Sequence, residues 1–187
     1  MIYLMEKIFP RQDSQNLVIC VAGVGSTGKF SALLSNSIPD LQILFNGQCF
    51  PIKLFEKNDI EGGLFENLES SDEFTERDGI SDEGFGHFQS TYLGKQFTKE
   101  DLFYYIYGIL HSPEYKERFQ NNLSKELPRI PAVPEFEDFM AFSEAGRKLG
   151  DLHVNYETVE PFNVDFKEGD FRLLMADKTP EQFYRVT

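Results

Sequence analysis

The sequence predicts an α+β fold in which short strands at both ends flank a bundle of about three aromatic-rich helices. Three observations lead there. An apolar, β-branched run, LVICVA at 17–22, is closed by Gly23 and reads as a buried strand. The run LFYYIYGIL at 102–110 is apolar nearly all round, which places a helix inside a core. Strands and helices are also segregated along the chain and do not alternate, which argues against regular βαβ units.

The chain has 187 residues, 41% of them hydrophobic, enough for one domain with a real core. Nineteen Phe and eight Tyr make that core aromatic, and Trp is absent. Residues 1–10 lack a signal-peptide layout and read as the end of a helix. No stretch reaches the length of a membrane span, so a cytoplasmic protein is expected.

The elements follow in order. After the 17–22 strand, Gly23, Gly25 and Gly28 make a turn, and 30–34 offers a helical turn or a strand. Asn46-Gly47 between apolar runs reads as a hairpin joining 43–45 to 49–55, with Pro51 confining its second strand to an edge or a bulge. Residues 1–55 thus form a β-rich part. Residues 56–97 read as an acidic loop or insertion. Between Glu56 and Glu83 eleven acids face two bases, so most of the chain's net charge of −13 lies in this stretch.

A helical part spans 98–153. Thr98 and Asp101 form a capping box at its entry. Ser112-Pro113 reads as a second N-cap with Pro at the first helical position, followed by Tyr115, Phe119 and Leu123 at four-residue spacing. Leu127-Pro128 ends that helix. Pro134 opens a third, with Phe136, Phe139, Met140 and Leu149 inward, Arg147 and Lys148 in its last turn, and Gly150 as C-cap. From 154 to 187 short strands are expected, at 154–156, 162–166 and 171–175.

Little in this pattern suggests chemistry. Cys20 and Cys49 read as free thiols that neighbouring strands bring close. His87, His111 and His153 are widely separated and suggest no metal site. His111 and His153 lack a nucleophile or carboxylate at motif spacing, so structural roles are expected. Tyr104, Tyr105 and Tyr107 are expected to pack in the core and not to stack on bases. Residues 23–29 match GxxxxGK through Gly23, Gly28 and Lys29, the weak case for a nucleotide-binding protein. Phe30 stands where a magnesium-holding hydroxyl is needed, so that reading is rejected.

One longer pattern is more specific. YGILHSPEY (107–115), LPRIP (127–131), the AGRKLGDLHVNYE stretch (145–157) and QCFP (48–51) occur in succession. This succession resembles the C-terminal specificity, or target-recognition, region of the single-polypeptide type ISP restriction–modification enzymes and related adenine DNA methyltransferases. The resemblance implies a part of a larger protein that selects duplex DNA by sequence and is non-catalytic by itself. It implies no cofactor in this chain, and S-adenosylmethionine, ATP and Mg for a parent enzyme that methylates adenine, translocates and cuts. Its methyltransferase, helicase and endonuclease motifs are absent from this sequence, and the abrupt ends suggest a fragment.

The acidic average departs from what a DNA reader needs. A basic face is therefore expected from Lys116, Arg118, Lys125, Arg129, Arg147 and Lys148, with Arg129 favoured because LPRIP holds it on a rigid turn. Otherwise the contacts come from polypeptide beyond the chain's end. The alternative is an acidic docking or scaffold module that packs against other domains of the same polypeptide.

Overall fold

A computed structural model describes residues 2–25, 28–40, 42–44, 47–58 and 74–160. Residues 1–156 form one compact unit; of the second unit, 157–187, residues 157–160 are described.

The apolar run at 17–22 becomes β1 (Val18–Val21), and all four of its residues are buried. It is the central strand of an antiparallel sheet, between β2 (Ala32–Ser35) and β3 (Gln48–Pro51). That position explains the unbroken hydrophobicity, because each face of β1 meets its own core. Ile19 and Val21 face the large aromatic cluster, and Val18 and Cys20 face a smaller one with Ile8 and Phe9 at the end of α1 (Ile2–Ile8). Pro51 lies on an edge strand, where its missing N–H breaks no ladder.

The expected hairpin does not form. Residues 42–44 make a turn, and Asn46 lies outside the described residues. The 49–55 stretch is instead shared between two sheets. β3 pairs with β1, and after Ile52 the chain enters β4 (Lys53–Lys57), which pairs with β5 (Phe74–Asp78). The switch is fixed at Ile52, whose N–H donates to the Leu17 carbonyl at 2.8 Å and whose carbonyl accepts from Gly79 N–H at 2.8 Å. Buried Asn16 ties the same corner, its amide donating to the carbonyls of Ile8 and Lys53, both at 2.9 Å.

The 56–97 stretch is not all loop. It contains β5 and a helix, α2 (Asp82–Thr91), which Ser81 caps by accepting from Gly84 N–H at 3.1 Å. Its apolar residues are few but spaced for one face: Phe85, Phe88 and, just past the end, Tyr92 reach the aromatic core. Residues 59–73 lie outside the described residues.

α3 (Lys99–His111) begins at the expected capping box and buries eight residues, Tyr105 and Tyr107 completely. Across it runs α6 (Phe136–Val154). The two backbones touch at glycines: a Cβ on Gly146 would lie 2.0 Å from the Tyr104 carbonyl oxygen, and one on Gly108 2.4 Å from that of Phe142. Phe139 sits at the centre, stacked on Tyr105 with ring centroids 4.6 Å apart and edge-on to Phe97 at 4.8 Å.

The helical part differs from the expectation in its boundaries and in the roles of several residues. The second helix breaks at Phe119 into α4 (Pro113–Arg118) and α5 (Gln120–Leu123). The third starts at Phe136, with Met140 facing solvent, and runs through Gly150. Gly150 is a packing residue and not a cap, because a Cβ there would meet Leu34 Cδ2 at 2.7 Å. Arg147 and Lys148 are therefore interior to the helix. Val154 ends it and Tyr156–Thr158 is a 3-10 turn, not a strand. The strands expected at 162–166 and 171–175 lie outside the described residues.

Candidate nucleic-acid interface

Between α5 and α6 the chain runs without regular secondary structure from Pro128 to Glu135. Its alternate carbonyls are held by tyrosine hydroxyls: Tyr115 donates to Arg129 O at 2.9 Å, Tyr105 to Pro131 O at 2.6 Å and Tyr92 to Val133 O at 2.7 Å. Tyr105 also accepts from Val133 N–H at 3.2 Å. Tyrosines of α3 and α4 and the one that closes α2 thus pin one strap through hydroxyls at the ends of buried rings. This gives the physical content of a rigid turn at Arg129. The Arg129 side chain projects from the strap at 86% exposure and, among the described residues, pairs only with Glu126, at 3.0 Å.

The six sequence candidates separate by their partners. Arg147 is committed to the fold: it bridges Glu100 at 2.5 Å and Asp101 at 3.2 Å, with its guanidinium 4.1 Å from the centre of the Tyr104 ring. Burial raises the Asp101 pKa, but hydrogen bonds from Thr98 and the nearby Arg147 outweigh it and hold the carboxyl below its usual range. Lys148 pairs with Glu144 on its own helix at 2.7 Å. Lys116, Arg118 and Lys125 form no ion pair among the described residues, and Arg118 lies over the Phe119 ring at 5.6 Å.

One of these three, Lys116, shares a groove with a further cation, Lys29. Lys29, also without an ion pair, lines a groove of about 420 Å³ with Gly28, Phe30, Lys116, Glu117, Gln120 and Ser124. The glycine turn docks here, Gly25 N–H donating to the Ser124 carbonyl at 3.3 Å with Gly25 at φ +75°, a conformation suited to glycine. The turn leads from β1 to β2 with no helix after it, so the strand–loop–helix of a phosphate-binding nucleotide loop is not formed. The polar part of the groove is two lysines, the Gln120 amide, the Ser124 hydroxyl and the Glu117 carboxylate, set beside the apolar Phe30 and Leu123.

The histidines are structural in their contacts. Tyr107 joins His153 Nδ1 to the Leu34 backbone, its oxygen accepting from Leu34 N–H at 3.0 Å. His111 packs edge-on to both rings, and its Nε2 is buried without a hydrogen-bond partner. No group of three or more His, Cys, Asp and Glu among the described residues is placed to hold a metal. No helix among them is long and apolar enough to cross a membrane. Tyr104, Tyr105 and Tyr107 are buried in the core.

The description of the type ISP C-terminal specificity domain matches residues 1–187. The chain belongs to this family. The chain is also similar to parts of solved structures. The DrdV–DNA complex, determined by cryo-EM, is 30% identical with a TM-score of 0.75, over 95% of this chain and 15% of that one. LlaBIII, an ATP-dependent type ISP restriction–modification enzyme bound to DNA, is 29% identical with a TM-score of 0.69, over 86% of this chain and 10% of that one. A nuclease-deletion mutant of the type ISP enzyme LlaGI, in complex with a DNA substrate mimic, is 30% identical with a TM-score of 0.62, over 85% and 12%. The specificity domain thus matches a small part of each of these chains. No curated protein matches it.

Proposed function

We propose that this specificity domain recognises duplex DNA for a type ISP restriction–modification enzyme, and that it grips the phosphate backbone at the groove between the glycine turn and α4–α5. The reacting groups, with S-adenosylmethionine, ATP and Mg, belong to other domains of that enzyme. The family and its DNA-bound neighbours support the role. The observation that carries the site is the sorting of cations. Among the described residues Lys7, Lys29, Lys116, Arg118 and Lys125 form no ion pair, and all but Lys7 come from the glycine turn, α4 and the turn that follows α5. Phosphate contacts need unspent positive charge together with amides and hydroxyls, which Gln120 and Ser124 supply here. Arg129, on its pinned strap beyond α5, is the candidate for reading a base edge.

The test is fluorescence anisotropy of the chain with a labelled mixed-sequence duplex across a salt series. Binding in the range of about 10⁻⁶–10⁻⁴ M is expected at physiological salt. Lys29→Glu combined with Lys116→Glu should weaken it at least tenfold and flatten the salt slope by about two, one per lost phosphate contact. Lys148→Glu, whose cation is already paired, should leave both unchanged. Equal losses from the double variant and the Lys148 variant would place the DNA elsewhere.

A further inference from the structure

Cys20 and Cys49 are direct partners across β1 and β3, with sulfurs 3.7 Å apart and both thiols free. We propose that they are a closing pair: a reversible dithiol that forms an intrachain disulfide by exchange with a low-molecular-weight disulfide such as oxidised glutathione. The inference is independent of the DNA reading.

Three features carry it. The first is the backbone. Directly opposed residues of antiparallel strands have Cα atoms about 4.5–5.5 Å apart, within the span of roughly 4.4–6.8 Å that a disulfide bridges. Closing the sulfurs to about 2.05 Å therefore takes side-chain rotation and leaves the strands in place. The register cannot drift, because the Ile52 N–H to Leu17 O bond locks the end of the β1–β3 pair. The second is the asymmetry of access. Cys49 is half-buried on an edge strand, whereas Cys20 is fully buried in the central one. The third is the proton. The hydrogen bond between the two thiols lowers the Cys49 pKa against the opposing effect of burial, while the same bond and burial raise Cys20. Cys49 is therefore the nucleophile that meets the oxidant, and Cys20 resolves it.

The chemistry balances. The Cys49 thiolate attacks one sulfur of the small disulfide, forming a mixed disulfide and releasing one small thiol. Cys20 then gives up its proton and attacks the Cys49 sulfur, displacing the second small thiol. Two protein thiols are oxidised and one small disulfide is reduced to two thiols. The cross-link encloses the glycine turn and the whole of β2, so oxidation tethers the segment that carries Lys29 to the sheet on both sides.

The protein is incubated natively with oxidised glutathione, quenched with acid, and read by intact mass. The expected product is two hydrogen atoms lighter than the reduced chain and has no thiol titratable after denaturation. Dithiothreitol restores both thiols. Cys20→Ser should stop at one glutathione adduct on Cys49, and Cys49→Ser should react far more slowly than either. The oxidised chain should melt higher by roughly 5–10 °C, as a cross-link around a loop of this length gives. Two glutathione adducts on the native chain, a disulfide between chains, or two unreacted thiols would each overturn the proposal. Unchanged DNA affinity after oxidation would leave the disulfide standing, and loss of DNA binding in the lysine variants would not touch it.

Discussion

At the scale of single residues, charge alone does not decide which cations belong to a site; their partners do. Arg147 and Lys116 are equivalent in a reading of the sequence, since both are basic residues on amphipathic helices. In the fold Arg147 is shared between two carboxylates and an aromatic face, whereas Lys116 has no ion pair. Arg147→Ala removes a cation–π contact and two half-exposed ion pairs, each modest in solvent, for a loss of about 1 kcal/mol and a Tm lower by roughly 2–4 °C. DNA affinity should not move. A thermal melt and an anisotropy titration on one preparation check both halves, and an affinity loss with unchanged Tm would reverse the assignment. The carboxylates that use up Arg147 lie 46 and 47 residues away in sequence, so no local pattern reveals the pairing. Lys29 is hidden for a related reason: it stands inside a glycine motif that resembles only a nucleotide loop, and nothing nearby in sequence points to α4 and α5 as its neighbours.

At the scale of elements, α3 and α6 are held close by what they lack. Gly108 and Gly146 let the helix backbones meet, and the aromatic rings pack around that crossing. Gly146→Ala gains up to about 1 kcal/mol of helix propensity but drives a Cβ to 2.0 Å from the Tyr104 carbonyl oxygen, which only a shift of the helix relieves. The clash wins, and urea unfolding should show a net loss of about 2 kcal/mol or more. Gly86→Ala in α2 is the counterpart, with nothing within 4 Å of the new Cβ, and should gain about 0.5–1 kcal/mol. A gain at both positions would mean the helices are not in contact. The elements that were legible in sequence had strong local signals: the unbroken apolar run of β1, the capping box of α3, and Ser112-Pro113 before α4. Those that were misjudged depend on distant partners. β5 and α2 sit in a polar, acidic stretch and are stabilised by β4 and the aromatic core. Asn-Gly suggested a hairpin, but β1 had already taken β3 as its partner. Gly150 carries the mark of a cap, yet its smallness serves Leu34.

At the scale of the whole molecule, the net charge of −13 and the half-buried His111 pull stability in opposite directions as pH falls, and they act in different windows. Burial, Lys116 and His153 push the His111 pKa down from 6.5 to about 4. The unfolded chain therefore binds a proton that the folded chain refuses, and stability contributed above pH 6.5 is lost progressively as pH falls toward 4. Relief of repulsion among the carboxylates requires protonating them, which for unperturbed groups occurs near pH 4. Between pH 7.5 and 5.5 the histidine effect stands nearly alone. Discounted for a ring that is only half-buried, it should lower unfolding free energy by about 1 kcal/mol across that window. Urea midpoints at the two pH values measure it, with His111→Phe as the reference that removes the titrating ring while keeping an aromatic against Tyr107. The wild type should lose stability on acidification and the variant should hold nearly level. Parallel losses in both would assign the pH dependence to other groups, and His111 would then be a solvated ring in solution rather than a buried one.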